Sequence, residues 1–141
     1  MGRNSRRLTG IAVLAGALLA TPAAAQTDAG RALGLELNRV EQVDAACRFT
    51  FLAENRMGAD LSAFTVETVI IDAEGVVDRL TLFEFGAMPD ASPRVRQFDV
   101  PALDCAQVGR ILINGVSDCN GVEGCATALT LSSRTDIELL G

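Results

Sequence analysis

Three features of the sequence predict an all-β sandwich. Apolar residues recur with period two in one short segment after another, as they do in half-buried strands. Gly, Pro, Asn and Asp cluster between those segments at the spacing of turns, and no segment carries a convincing helical period. The clearest alternation runs over residues 46–55, where Cys47, Phe49, Phe51 and Ala53 share one face and Arg48, Thr50 and Glu54 the other, with Leu52 the one apolar residue on the polar side. Two of the six phenylalanines of a chain without Trp or Tyr sit there, so this strand is expected to supply the middle of the core and a disulfide anchor together. About seven such strands over roughly 100 residues, joined by short connections, fit an immunoglobulin-like antiparallel β-sandwich better than a closed barrel.

The N-terminus stands apart from that pattern. Arg3, Arg6 and Arg7 precede an apolar run over residues 11–20, and residues 21–25 end in a small-x-small site before Gln26. A basic n-region, a short h-region and such a site make a secretory signal peptide, and the h-region is too short to span a bilayer. Residues 1–25 are therefore read as a signal peptide, and residues 26–141 as a single domain that is periplasmic or secreted. Ser5-Arg6-Arg7 also resembles the start of a twin-arginine signal, although Thr9 stands where such signals usually have a bulky apolar residue. Residues 26–30 read as a flexible leader.

The strands then follow in order. Leu33, Leu35 and Leu37 alternate with Gly34, Glu36 and Asn38, and the spacing slips at Val40 and Val43, as a bulge or a turn would cause. The Cys47 strand stops at Asn55, before a polar loop. In the strand over residues 61–72, Phe64, Val66, Thr68 and Ile70 alternate with Thr65, Glu67, Val69 and Ile71, and its end is apolar on both sides, as in a strand covered twice. Asp72-Ala73-Glu74-Gly75 predicts a hairpin connection with Gly75 at positive φ, after which residues 76–85 return antiparallel. Residues 86–93 form a loop, and residues 94–100 a short strand that Pro101 ends. After a connecting turn, residues 108–113 are apolar on both faces, as at a sheet centre. Asn114-Gly115 predicts either a tight hairpin or a bulge with the strand continuing. Residues 127–133 give the last full strand, and the tail over 134–141 has the composition of a further edge strand.

Beyond residue 25 the chain keeps all 18 acids and nine of its 12 arginines, a formal charge of about −9, and it has no Lys. A charge of that sign opposes binding to nucleic acid and to anionic lipid, which require a basic footprint. The four cysteines all lie in the exported part, and an even count in an oxidising compartment reads as disulfides. The expected pairs are Cys47 with Cys105 and Cys119 with Cys125. Cys119 and Cys125 flank a Gly-containing loop between strands expected to be antiparallel neighbours, and Cys105 precedes the Val108 strand, expected beside the Cys47 strand. No pair has C-x-x-C spacing and the chain has no His, which argues against zinc and against thiol exchange. No cysteine follows the cleavage site to carry a lipid, so no stable membrane anchor is expected.

Two resemblances extend this reading. The run from Phe51 to Asn55, the loop after it, residues 64–72 and then Glu74-Gly75-Val76-Val77 resemble the core of small bacterial envelope β-sandwich domains of the FxLYD type. Over almost the whole chain the sequence looks like a set of alphaproteobacterial proteins labelled by their twin-arginine signal. The matching features are Cys47-Arg48, Asp72-Ala73-Glu74-Gly75, Cys105, Val108-Gly109-Arg110, Asn114-Gly115-Val116 and Ser132-Ser133-Arg134-Thr135-Asp136. The resemblance implies an exported sandwich without assigned activity, and it supplies no catalytic residue.

The chemistry available is narrow. Without His, Lys or Tyr the general bases are limited to carboxylates, and no Ser lies in a G-x-S-x-G elbow, so no enzyme, catalytic residue or cofactor is expected. Asp118, Asn120 and Glu123 surround a Gly-containing loop and offer oxygens to calcium, without the EF-hand order. Arg94 and Arg96 flank Val95 with period two, so both can stand on one face as anchors for a carboxylate-bearing partner, the other reading being intramolecular pairing with the many acids. The sequence thus predicts a non-enzymatic interaction module for an envelope protein; the alternative is a small-ligand or calcium-binding domain using the loops around Cys119 and Cys125.

Overall fold

A computed structural model describes residues 1–2 and 30–141. The signal peptide expected over residues 1–25 and the leader over residues 26–30 lie, apart from residues 1–2 and 30, outside the described residues. The strands are β1 (Ala32–Val43), β2 (Ala46–Arg56), β3 (Ala63–Asp72), β4 (Val77–Glu84), β5 (Arg94–Pro101), β6 (Val108–Asn120), β7 (Leu129–Ser133) and β8 (Glu138–Leu140). They form two four-stranded sheets, the first in the order β5-β2-β1-β7 and the second in the order β4-β3-β6-β8.

The core lies between the sheets and is fixed by the alternation. Leu33, Leu35 and Leu37 of β1 and Cys47, Phe49, Phe51 and Ala53 of β2 face inward from the first sheet; Phe64, Val66 and Ile70 of β3, Phe83 of β4 and Ile111 and Ile113 of β6 face inward from the second. All six phenylalanines form one connected cluster, with Phe49, Phe51 and Phe98 from the first sheet meeting Phe64, Phe83 and Phe85 from the second. The closest pair, Phe83 and Phe98, stacks with centroids 4.4 Å apart and closes the flank where β4 and β5 face each other. Rings of this kind contribute about 0.5–1.5 kcal/mol per pair beyond the area they bury.

Local turn chemistry holds where it was legible. Asp72 Oδ1 accepts from the Glu74 N–H (3.1 Å) and the Val76 N–H (2.7 Å), and Gly75 takes φ 86°, so the β3–β4 hairpin closes as its residues dictate. Asn55 is fully buried at the end of β2 with all its groups engaged: its amide donates to the carbonyls of Ala59 (2.9 Å) and Met88 (2.8 Å) and its Oδ1 accepts from the Met57 N–H (2.9 Å). The tail does form an edge strand, β8, beside β6. At Asn114-Gly115 the chain does not turn back; β6 continues, with register shifts against β3 that mark bulges.

The neighbours of the strands correct the expected antiparallel arrangement of about seven strands. There are eight among the described residues, and both sheets are mixed: β7 runs parallel to β1 and β8 parallel to β6. The reason is that the chain leaves β6 and crosses to the other sheet, reaching the edge beside β1 in the same direction as β1, then crosses back to β6. Parallel pairs demand such crossovers, and period-two alternation carries no information about them.

The two disulfides are Cys47–Cys105 and Cys119–Cys125. The pairing is the expected one, but the strand neighbours that motivated it are not. β2 pairs with β1 and β5, whereas β6 belongs to the opposite sheet, so Cys105 reaches Cys47 from the 3₁₀ turn Cys105–Gln107 that carries the chain between sheets. Likewise β6 and β7 are not antiparallel neighbours; the second bridge ties the end of β6 to the 3₁₀ turn Cys125–Thr127 on the way to the first sheet.

Candidate interaction surface

The two outer faces of the sandwich differ in chemistry. On the first sheet, Glu36, Arg48, Thr50, Glu54, Gln97, Asp99, Thr130 and Ser132 point outward, and the apolar exceptions are Leu52 and its cross-strand partner Val95. The acids there are neutralised in place. Arg48 donates to Asp99 through Nε (2.6 Å) and Nη2 (2.8 Å), Arg134 Nε lies 3.0 Å from Glu36, Arg56 Nη2 lies 2.5 Å from Glu54, and Arg39 pairs with Glu41. These contacts hold the carboxyls of Asp99 and Glu54 below the usual range, the cause being the hydrogen bonds from Arg48 and Arg56; Glu36 is lowered first by the amide of Asn38 and then by Arg134.

The second sheet presents an apolar ladder instead. Register places Leu80 of β4, Val69 of β3, Leu112 of β6 and Leu140 of β8 in one row across all four strands. Their inward neighbours Thr68, Ile70, Ile111 and Leu139 fill the core side, so the row faces outward. Val77 and Ile71 extend the patch on one side of the row, and Leu82 on the other. Leu80 is 56% exposed, Leu82 50% and Val77 60%. Val69, only 7% exposed, belongs to none of the core packing and is covered by its neighbours on the same outer face. The apolar character of β3 and β6 on both sides suggested strands covered twice; among the described residues nothing covers this face.

Charge around the ladder is acidic and unpaired. Glu67 and Glu84 border Leu82, Asp118 lies opposite Thr65, and Glu138 lies opposite Arg110, among the described residues the one basic residue of this face. Among the described residues no ion pair involves any of these four acids: Glu67 accepts from the amide of Asn114 and Asp118 from that of Asn120 (2.5 Å).

The other candidate residues fall as follows. Arg94 and Arg96 do share one face of β5, which is an edge strand, and that face is the inward one. Arg96 donates to the carbonyls of Phe85 (2.7 Å) and Ala87 (3.3 Å), and Arg94 to Ser92 Oγ (2.8 Å) and the Pro93 carbonyl (3.0 Å). From the opposite side of the same flank, Arg79 of β4 donates to the carbonyls of Pro101 (2.8 Å) and Ala102 (3.2 Å). Arg96 and Arg79 thus lace the open flank by main-chain contacts that no sequence pattern announces, while Arg94 is held by its own chain neighbours. Asp118 and Asn120 lie side by side on β6, whereas Glu123 borders a depression with Arg31, Met57 and Thr127. Among the described residues no group of three or more His, Cys, Asp or Glu is placed to hold a metal ion. No helix among them is long and apolar enough to cross a membrane.

No family model, no curated protein and no solved structure matches the chain. The functional reading rests on the geometry of the two faces.

Proposed function

We propose that this chain is an exported, non-enzymatic interaction module of the cell envelope, periplasmic or secreted, that binds an envelope protein through the outer face of its second sheet. The observation that carries the reading is the row Leu80, Val69, Leu112 and Leu140. Exposed contiguous apolar surface on a folded domain marks an interaction site, and here the row ends in exposed Leu80, flanked by exposed Leu82 and Val77, while the other outer face is polar apart from Leu52 and Val95 and its acids are paired. The fold reading goes with it: β5-β2-β1 over β4-β3-β6 follows the E-B-A and C′-C-F order of immunoglobulin-like sandwiches, and β7 and β8 depart from it by pairing in parallel. Export is supported by the signal-like N-terminal residues and two disulfides.

The test is a photo-cross-linking amino acid placed at position 82 or, as control, at position 130 of the opposite face, in envelope extract. A discrete product from position 82 and none from position 130 is expected; products from both or from neither would remove the assignment of the face. Panels for hydrolysis, oxidation-reduction and thiol exchange should stay at background, and a turnover lost on replacing one Asp or Glu would show an enzyme.

A further inference from the structure

The sheet edges identify what kind of partner this face takes. β7 has five residues and β8 three, too short to template much pairing. β5 has eight residues but is protected by Pro93 and Pro101 at its ends and by the inward-pointing Arg94 and Arg96. β4 also has eight residues and, among the described residues, pairs with β3 alone. Its protection, the inward Arg79 and the register shift near Val77, is confined to its first residues, so the stretch from Leu80 to Glu84 offers free main-chain groups beside exposed Leu80 and Leu82.

We propose that the edge of β4 takes an extended cationic segment of a partner protein as a fifth strand of the second sheet. The proposal rests on the interaction-module reading above and names the partner class. A strand added there lies about 4.8 Å from β4 and sets side chains directly beside those of β4 on the same face. Beside Leu80 and Leu82 the fitting side chains are apolar. Beside Glu84, with Glu67 one strand further in, they are Lys or Arg; Asp78, at the other end of β4, is already paired with Arg79. A second copy of this acidic chain would bring like charges together instead, since Glu67, Glu84, Asp118 and Glu138 have no ion-pair partner among the described residues.

The probe is the blocked peptide Arg-Thr-Val-Thr-Val-Thr-Arg, whose outward side chains read cation, apolar, apolar, cation in either direction, compared with the same peptide carrying Glu for Arg. Titrated into the protein, the basic peptide should bind at least tenfold more tightly than the acidic one, weaken with salt, and shift the amide resonances of β4 before any of the first sheet. Leu80→Arg with Leu82→Arg should lose the binding, Glu67→Gln with Glu84→Gln should erase most of the difference between the peptides, and Val95→Arg on the other sheet should change nothing. The glutamine pair leaves every apolar contact in place, so it decides the matter even if the arginine pair misfolds. Equal binding of the two peptides, or a shift pattern centred on β5 or β7, would overturn the proposal. If neither peptide binds while position 82 still cross-links a partner, the cationic strand is wrong and the interaction face stands; if position 82 also yields nothing, both fall.

Discussion

Asp99 is held by a two-point contact from Arg48 on the outer face of the first sheet, and its carboxyl is shifted down by those hydrogen bonds. A folded value below the unfolded one means that the pair stabilises above the unfolded carboxylate range, and that this stabilisation is lost as the pH falls through the lower folded value. Both groups face solvent, so the effect on stability is small and the test belongs to the site itself: by NMR, Arg48→Gln should move the Asp99 titration upward, and an unchanged midpoint would show that the contact does not persist in solution. In the core, Thr68 is fully buried on β3 with no partner for its hydroxyl among the described residues. Thr68→Val keeps the shape and removes an unsatisfied polar group, so denaturant unfolding should show stability unchanged or raised by about 1–2 kcal/mol; a loss would reveal a bound water satisfying the hydroxyl. Glycines give a contrast. A Cβ at Gly109 would lie 2.4 Å from the Asp72 carbonyl oxygen, backbone against backbone, whereas one at Gly34 would meet nothing closer than Thr130 Oγ1 at 3.7 Å. Gly109→Ala should therefore cost about 1–3 kcal/mol, well above Gly34→Ala, when both are unfolded thermally. Two glycines in alternating segments look alike in the sequence, because the clash comes from a hairpin more than 30 residues away.

At the scale of elements, the two bridges are expected to differ. Cys47–Cys105 spans a separation of 58 residues and Cys119–Cys125 one of 6. On the chain-entropy account the long loop contributes roughly 4 kcal/mol and the short one about 2.4 kcal/mol, so Cys47→Ala with Cys105→Ala should lower the urea midpoint more than Cys119→Ala with Cys125→Ala. The reverse order would mean that the crossover from β6 matters more than loop closure. Edge protection makes a second case. Arg94→Val with Arg96→Val removes both inward charges from β5 and five main-chain and side-chain contacts, and light scattering should show association. These elements also show how far the sequence was legible. Strands were visible because Cys47, Phe49, Phe51 and Ala53, or Leu33, Leu35 and Leu37, carry the alternation within themselves. Partners were not: that β7 lies parallel to β1 depends on a crossover of residues 121–128, which no local pattern encodes.

For the whole molecule, the asymmetry between faces is the property that the sequence concealed. Val69, Ile71 and Leu112 are apolar residues at outward positions, and in a sequence such strands read as sheet centres buried on both sides. β3 and β6 are indeed central, but their outer side lacks a covering layer among the described residues, so what looked like core became the candidate site. Arg94 and Arg96, chosen as exposed anchors, are engaged instead by carbonyls along the flank. The second disulfide has a further consequence for how copies of the chain can combine. β7 and β8 are short edge strands, each held by a single parallel pairing, and a segment of this sort can be traded between protomers if the connection before it opens into a hinge. Closing the ring from Cys119 to Cys125 leaves only residues 126–128 as slack between β6 and β7, too little to carry β7 to a neighbour. The bridge thus acts as a latch that keeps the C-terminal strands at home. Refolding Cys119→Ser with Cys125→Ser at high concentration should yield dimers with exchanged β7 and β8, detectable by sedimentation and by cross-linking between β1 of one copy and β7 of the other; a strictly monomeric product would mean that the crossover is stiff without its latch.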